Sequence, residues 1–340
     1  MIYYLVTREY SQTINLYLEG KGSCFARDVT PIYYEELKTK KRLPAGVYIF
    51  SDIERLSPEQ AQYVSWIWED IKQSSSGSLV LNHPTRSLRR YELLRSLYER
   101  SINKFNIYRL TECRVPSRFP VFLRGENDHR GNTTGLLKDA HELEQALEMM
   151  KVNGDYRDDC VMTEFCDTRD SQGVFRKYSA FKVGDRIIPF HVLFHNSWMI
   201  KGGKLYDSCH AEEEKIYVET NPHEEQLREI FELADIQYGR IDYSLLDGVL
   251  QVWEINTNPH IRPCQFEQGW KNLEAAFTAL QSSTSSKQTI RLSLPDKLAK
   301  LPYDKEIIDR IMDGFRWLPN DYRVSLSRSL RNFKKTLKKL

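Results

Sequence analysis

Short apolar runs separated by polar breaks dominate the first quarter of the chain. Ile2 to Thr7, Val47 to Phe50 and Leu79 to Leu81 read as strands, and Ser57-Pro58-Glu59-Gln60 opens a helix between the last two, with a serine cap and a proline in the first turn. A Ser74-Ser75-Ser76-Gly77 break precedes the third run, and Leu81-Asn82-His83-Pro84 ends the unit. Strands alternating with helix predict an α/β domain over residues 1–83. Arg86 to Ser101 then switches to helical spacing, with Leu88, Tyr91, Leu94, Leu97 and Tyr98 on one side.

Further along, Pro120-Val121-Phe122-Leu123-Arg124 is a short apolar strand ending in a cation, Asp139 to Lys151 a helix, and Val161 to Cys166 a buried strand. Phe175 to Pro189 predicts a hairpin turning at Gly184-Asp185, and Pro189 to His195 a further strand. A helix over Glu224 to Ala234 precedes two short strands, Leu245-Leu246 and Val249 to Ile255, which flank the hairpin-turn dipeptide Asp247-Gly248. Residues 84–281 form the second predicted domain. A serine-rich linker, Ser282 to Ser286, then leads into a basic tail over 282–340 whose last helix repeats Leu326, Leu330, Phe333, Leu337 and Leu340. Arg328, Arg331, Lys334, Lys335, Lys338 and Lys339 occupy its other faces. Packing of that helix on its own protein is the preferred reading over an acidic partner or an anionic membrane surface.

The chemistry concentrates at Arg240-Ile241-Asp242-Tyr243 and Glu254-Ile255-Asn256-Thr257-Asn258-Pro259. Side chains alternate along a strand, so Glu254 and Asn256 face one way and Trp253 and Ile255 the other. A two-residue turn at Asp247-Gly248 with a regular ladder pairs Asp242 with Trp253, whereas a three-residue loop or a bulge sets Asp242 opposite Glu254. The second register is the expected one. Carboxylate and amide oxygens converging in that way suit Mg²⁺, which takes a few protein oxygens and completes its shell with water and phosphates. On ligand type and spacing alone, an ordinary surface hairpin with solvated acids remains open.

The flanking residues add a resemblance. Arg240-Ile-Asp-Tyr followed by Glu-Ile-Asn-Thr-Asn-Pro is similar to the metal-binding end of the ATP-grasp superfamily, which includes D-alanine-D-alanine ligase and glutathione synthetase. The resemblance spans about residues 84–281 and is sharpest over 239–260. It implies an ATP-grasp fold of α/β class, ATP as nucleotide, and Asp242, Glu254 and Asn256 as ligands of two magnesium ions. Arg240 then lies near the transferred phosphate and the acyl intermediate. Arg124, followed by a polar run with Gly125, Gly131 and Gly135, resembles the family's phosphate-binding cation and glycine-rich loop, although the usual residue is lysine and the loop is less glycine-dense. Glu164 and Phe165 match the hinge that hydrogen-bonds adenine through its backbone. Lys177, with Lys201 as a second candidate, matches a charged residue facing the nucleotide, and Arg86 or Arg89 a cation near the start of the helix entering the domain.

What the resemblance implies is an ATP- and Mg-dependent ligase that joins a carboxylate to an amine through an acyl phosphate, on small-molecule or peptide substrates. A phosphotransferase on the same fold and a nucleotide-binding regulatory or scaffold protein without turnover stay open as alternatives.

Composition narrows the rest. The chain has 340 residues and a net charge of +2, which argues against nucleic acid as the main partner. Its six cysteines (Cys24, Cys113, Cys160, Cys166, Cys209 and Cys264) include no C-x-x-C pair and read as reduced thiols. His191 and His195 share a strand face without a third ligand nearby in sequence, so they are expected to line a cleft or pack beside Trp198 rather than to bind zinc. No cleavable signal and no apolar run of the ~20 residues needed to span a membrane is present, so the cytoplasm is the expected location.

Overall fold

The computed structural model describes residues 1–292 apart from 38, 75, 113–114, 128–131, 201–204, 262–265 and 284–287. Gly131, Lys201 and the basic helix at 326–340, all singled out from the sequence, lie outside the described residues. The fold is mixed α/β, as expected, in two compact units: Met1–Arg86 with the residues from Phe277 onward, and Ser87–Ala276.

The first unit runs β1 (Ile2–Val6), α1 (Gln12–Glu19), β2 (Val29–Tyr33), α2 (Tyr34–Leu37), β3 (Arg42–Pro44), β4 (Val47–Phe50), α3 (Pro58–Gln73) and β5 (Leu79–Leu81). Its sheet is parallel throughout, ordered β2-β1-β4-β5. The apolar run Val47-Tyr48-Ile49-Phe50 is fully buried, as suits an interior parallel strand covered on both faces. The start of α3 is fixed by a capping box: Ser57 Oγ accepts from the Gln60 N–H at 3.2 Å, and Gln60 Oε1 accepts from the Ser57 N–H at 2.9 Å. Tyr63, Val64, Ile67 and Ile71 on its inner face join Leu5, Tyr48 and Phe50 in one core.

Asp52, just beyond β4, is fully buried with φ +57°, and its carboxylate accepts hydrogen bonds from the Thr7 backbone and hydroxyl and from Arg55. Burial, reinforced by Glu54 and only partly offset by Arg55, pushes its pKa up to about 6. The contribution of such a group is fully present below the ordinary carboxylate value and is lost as pH rises through about 6. Unfolding between pH 4 and 7 should therefore show a component that loses stability as pH rises. Asp52→Asn should flatten that slope in denaturant titrations at several pH values; an unchanged slope would remove Asp52 as its source.

The second unit continues with α4 (Arg90–Glu99), β6 (Ile107–Arg109), β7 (Val121–Gly125), α5 (Ala140–Asn153), β8 (Cys160–Glu164), β9 (Phe175–Val183), β10 (Arg186–His195), α6 (Ser208–Thr220), α7 (Glu224–Leu233), β11 (Tyr238–Leu246) and β12 (Val249–Asn256). Three antiparallel strands, β6-β8-β7, form a small sheet backed by Leu143 and Met150 of α5. The larger sheet, β10-β9-β11-β12, is antiparallel and carries the chemistry-bearing segment. One of its faces buries Tyr178, Ala180, Ile241 and Tyr243 in a core with Tyr217 and Val218 of α6 and Leu227, Ile230 and Phe231 of α7.

The strand expected over Pro189 to His195 is continuous with the one that follows Gly184: both lie in β10, with a register shift between Pro189 and His191 at this edge of the sheet. The helix expected from Arg86 begins at Arg90 instead. The Leu88 N–H donates to Ala234 O at 2.8 Å and Ser87 Oγ to Asp235 O at 2.6 Å, which holds the chain extended up to Arg89.

The chain then re-enters the first unit. Helix α8 (Glu267–Ser282) carries Phe277 onto Tyr17 and Phe25, and β13 (Thr289–Arg291) pairs antiparallel with β3, burying Ile290. Residues just beyond the serine-rich run thus form a strand of the first unit.

Candidate active site

The Asp247-Gly248 turn has both residues at positive φ, +51° and +78°, as a two-residue primed hairpin turn demands. The ladder is regular from Leu246↔Val249 to Tyr243↔Val252 and then skips Trp253, so that Asp242 pairs with Glu254 and Arg240 with Asn256. Of the two ways of reaching the expected register, the chain uses the bulge. Trp253 is the extra residue; it stacks on Phe105 with ring centroids 5.0 Å apart and donates its indole N–H to Ser244 Oγ at 2.9 Å.

The neighbouring strands extend this pairing into a row. Asp242 lies opposite Ser179, and Ser179 opposite His191, so His191, Ser179, Asp242 and Glu254 cross the sheet at one level. Lys177, two residues from Ser179, and Arg240, two from Asp242, sit on the same face.

Asp242 is buried and fully engaged. Its Oδ1 accepts from Ser179 Oγ at 2.9 Å and Arg240 Nε at 2.8 Å; its Oδ2 faces Lys177 Nζ at 3.2 Å and Arg240 Nη2 at 3.3 Å. Burial by itself would raise its pKa, but the charges of Arg240 and Lys177, with the Arg240 hydrogen bonds and a smaller effect of His191, hold it well below the usual carboxylate range. Glu254 forms an ion pair with Arg90, whose guanidinium also donates to the backbone carbonyl of Glu126 at the end of β7. Asn256 Oδ1 accepts from the Asn258 N–H at 2.8 Å, which orients the amide, and Arg240 Nη1 donates to His260 O at 3.2 Å.

Asp242, Glu254 and Asn256 thus offer hard oxygen donors along one face. Among the described residues no group of three or more His, Cys, Asp and Glu forms a metal cage. Two carboxylates and an amide nevertheless fit Mg²⁺, which is commonly held by one or two carboxylates plus substrate phosphates.

The phosphate and base candidates are distributed unevenly. Arg124 and Phe122 share a face of β7 by alternation, and Thr133 and Thr134 tie the far end of the following loop back to Leu123. A Cβ on Gly135 would meet nothing, so local packing does not require glycine there. Phe165 lies edge-on to Trp198 with centroids 5.8 Å apart, and Phe122 lies 5.1 Å from the same ring. At the expected hinge the Glu164 N–H donates to Asn106 O and the Phe165 N–H to Pro120 O. The Glu164 carboxylate is buried by Tyr108, Asn106 and Arg118. That leaves the Phe165 ring, rather than these N–H groups, facing Trp198.

Sequence reading missed Arg90, Ser179 and the placement of His191. Ser179 was accessible by counting two from Lys177 along the strand. Arg90 was hidden by the early helix start: Arg86 instead stacks over Trp68 in the first unit, and Arg89 stands at the N-cap position of α4 with no side-chain cap hydrogen bond. His195 accepts from the Ser197 N–H and is buried, while His191 lies in the polar row. No helix among the described residues is long and apolar enough to cross a membrane.

No family model and no curated protein matches the sequence. Solved structures similar to the chain include D-alanine-D-alanine ligase from Bacillus anthracis, at 13% identity and TM-score 0.49 over 83% of this chain and 95% of that one. N5-carboxyaminoimidazole ribonucleotide synthetase from Thermotoga maritima is similar at 13% identity and TM-score 0.45, over 84% and 77%. The macrocyclase MdnC of Microcystis aeruginosa MRC, bound with precursor peptide MdnA, is similar at 10% identity and TM-score 0.44, over 82% and 100%. Likeness at this level leaves the chemistry to be read from the residues themselves.

Proposed function

We propose that the chain is an ATP-grasp-type ligase, dependent on ATP and magnesium, that joins a carboxylate to an amine through an acyl phosphate. The observation that carries this reading is the bulge at Trp253, which sets Asp242 opposite Glu254 and brings Arg240, Lys177 and Asn256 onto the same face. A hairpin with merely solvated acids has no reason to bury one of them among four hydrogen-bond donors.

In this reading Asp242, Glu254 and Asn256 would hold two magnesium ions, which would neutralise phosphate charge when bound. Arg124 and Lys177 bind phosphate oxygens; Gly131, Gly135 and Lys201 complete the phosphate side; and Phe122, Phe165 and Trp198 offer flat apolar rings to the base. A substrate carboxylate oxygen attacks the γ-phosphorus as the bond to ADP breaks. Arg240, its fork already fixed on Asp242, steadies the acyl phosphate. The amine nitrogen then attacks the acyl carbon, phosphate leaves, and the amine's proton goes to solvent. Positioning and electrostatics do the catalysis, and no protein nucleophile takes part. Small molecules or a peptide terminus are the substrates proposed, and the cytoplasm the location.

Hydroxylamine trapping tests the reading. With Mg-ATP and pooled carboxylates, ADP, phosphate and a hydroxamate should appear together and only with an added carboxylate. ADP with a phosphorylated product and no hydroxamate would mean phosphotransfer instead, and nucleotide binding without turnover in any pool would mean a binding protein.

A further inference from the structure

The carboxylates proposed to hold magnesium are already balanced by the chain's own cations. Arg240 and Lys177 both lie on Asp242, and Arg90 lies on Glu254. In these three pairs, three cations stand against two carboxylates. The pairs are held in place. Arg90 is only 7% exposed and anchored on the Glu126 carbonyl, Asp242 is 2% exposed, and Ser179 Oγ fixes the remaining direction of approach to its Oδ1. The Ser179 backbone is itself fixed from behind by the Tyr217 hydroxyl, which donates to Ser179 O at 3.0 Å.

A divalent cation arriving alone meets these cations and must break their ion pairs, two of them on the buried Asp242, to reach its ligands. A polyphosphate arriving alone is attracted, because Arg90, Arg240 and Lys177 are the donors that phosphate oxygens seek. We infer that the site is an anion site first and a metal site only afterwards. A triphosphate draws Arg90 off Glu254 and shares Lys177 and Arg240 with Asp242, which frees carboxylate oxygens for the metal, so Arg90 acts as the positioning residue that couples metal affinity to nucleotide. The inference rests on the nucleotide reading above. Binding is reciprocal, so metal and nucleotide must tighten one another by the same factor.

The test measures binding rather than turnover. Free Mn²⁺ is followed by its solution EPR signal in titrations of the full chain, with and without a non-hydrolysable ATP analogue, and the analogue is titrated separately in chelator. In the wild type the analogue should bind in chelator, and Mn²⁺ should bind at least about 100-fold more tightly with analogue than without. Arg90→Gln should tighten Mn²⁺ binding in the absence of analogue by about 10-fold and shrink the coupling. Mn²⁺ affinities within about 3-fold of each other with and without analogue would overturn the inference and leave the ligase reading standing. So would an Arg90→Gln protein, folded by circular dichroism, whose metal affinity alone is unchanged. Failure to bind the analogue under any condition would overturn both. The wild-type titrations decide the matter if Arg90→Gln does not fold.

Discussion

Glu254→Gln is expected to reduce turnover by about 10³-fold or more while leaving the protein folded. The Glu254 carboxylate is 22% exposed and pairs with Arg90. Glutamine has the same shape and keeps one carbonyl oxygen for the Arg90 guanidinium, which stays anchored on the Glu126 carbonyl, so the charge lost beside this buried cation should cost about 2 kcal/mol. What glutamine does not supply is the anionic oxygen needed to ligate magnesium in line with Asp242. The loss should therefore appear in kcat, with a midpoint of thermal unfolding lowered by no more than about 6 °C. Near wild-type hydroxamate formation by the variant would remove Glu254 from the metal site and, with it, the register argument on which the functional reading stands.

The register itself shows how far sequence could carry the site. The Asp247-Gly248 turn and the face shared by Glu254 and Asn256 follow from turn chemistry and strand alternation, which are local and leave two registers open for Asp242. Which residue bulges is not local: Trp253 is expelled from the ladder because its ring finds Phe105 and its N–H finds Ser244 Oγ, partners set by the tertiary fold. Lys177 was reached only through the resemblance, which implies a charged residue at the start of its strand. Arg90 was not reached at all, because the start of α4 is set by Ser87 and Leu88 bonding to Asp235 and Ala234, more than a hundred residues away in sequence. Helix α6 left little trace for a related reason: among its buried residues is Glu214, satisfied by the Tyr206 hydroxyl and the Val192 N–H, so its inner face is not an apolar stripe. Glu164 was legible as a strand-end acid, but its carboxylate has a structural task that no spacing rule reveals.

Asp242→Asn should behave differently from Glu254→Gln although both remove one carboxylate from the same proposed site. Asp242 is 2% exposed and receives Ser179, Lys177 and two nitrogens of Arg240, so its charge is the counterweight shared by two partly buried cations. Asparagine removes that charge and turns an –NH₂ toward a row of donors, leaving Lys177 and Arg240 uncompensated. Breaking a buried ion pair by deleting one partner typically costs about 3–5 kcal/mol. On a unit of this size that corresponds to a fall of roughly 10 °C in the unfolding midpoint, together with loss of turnover. Because the Asp242 pKa is held far down, its stabilisation should persist through mildly acidic pH, and the gap between wild type and variant should stay constant from pH 7 to pH 5. A midpoint within about 2 °C of wild type would show that Lys177 and Arg240 are solvated well enough to do without Asp242. Their pairing with it would then be a weak surface contact, and the charge balance that favours nucleotide before metal would lose its basis.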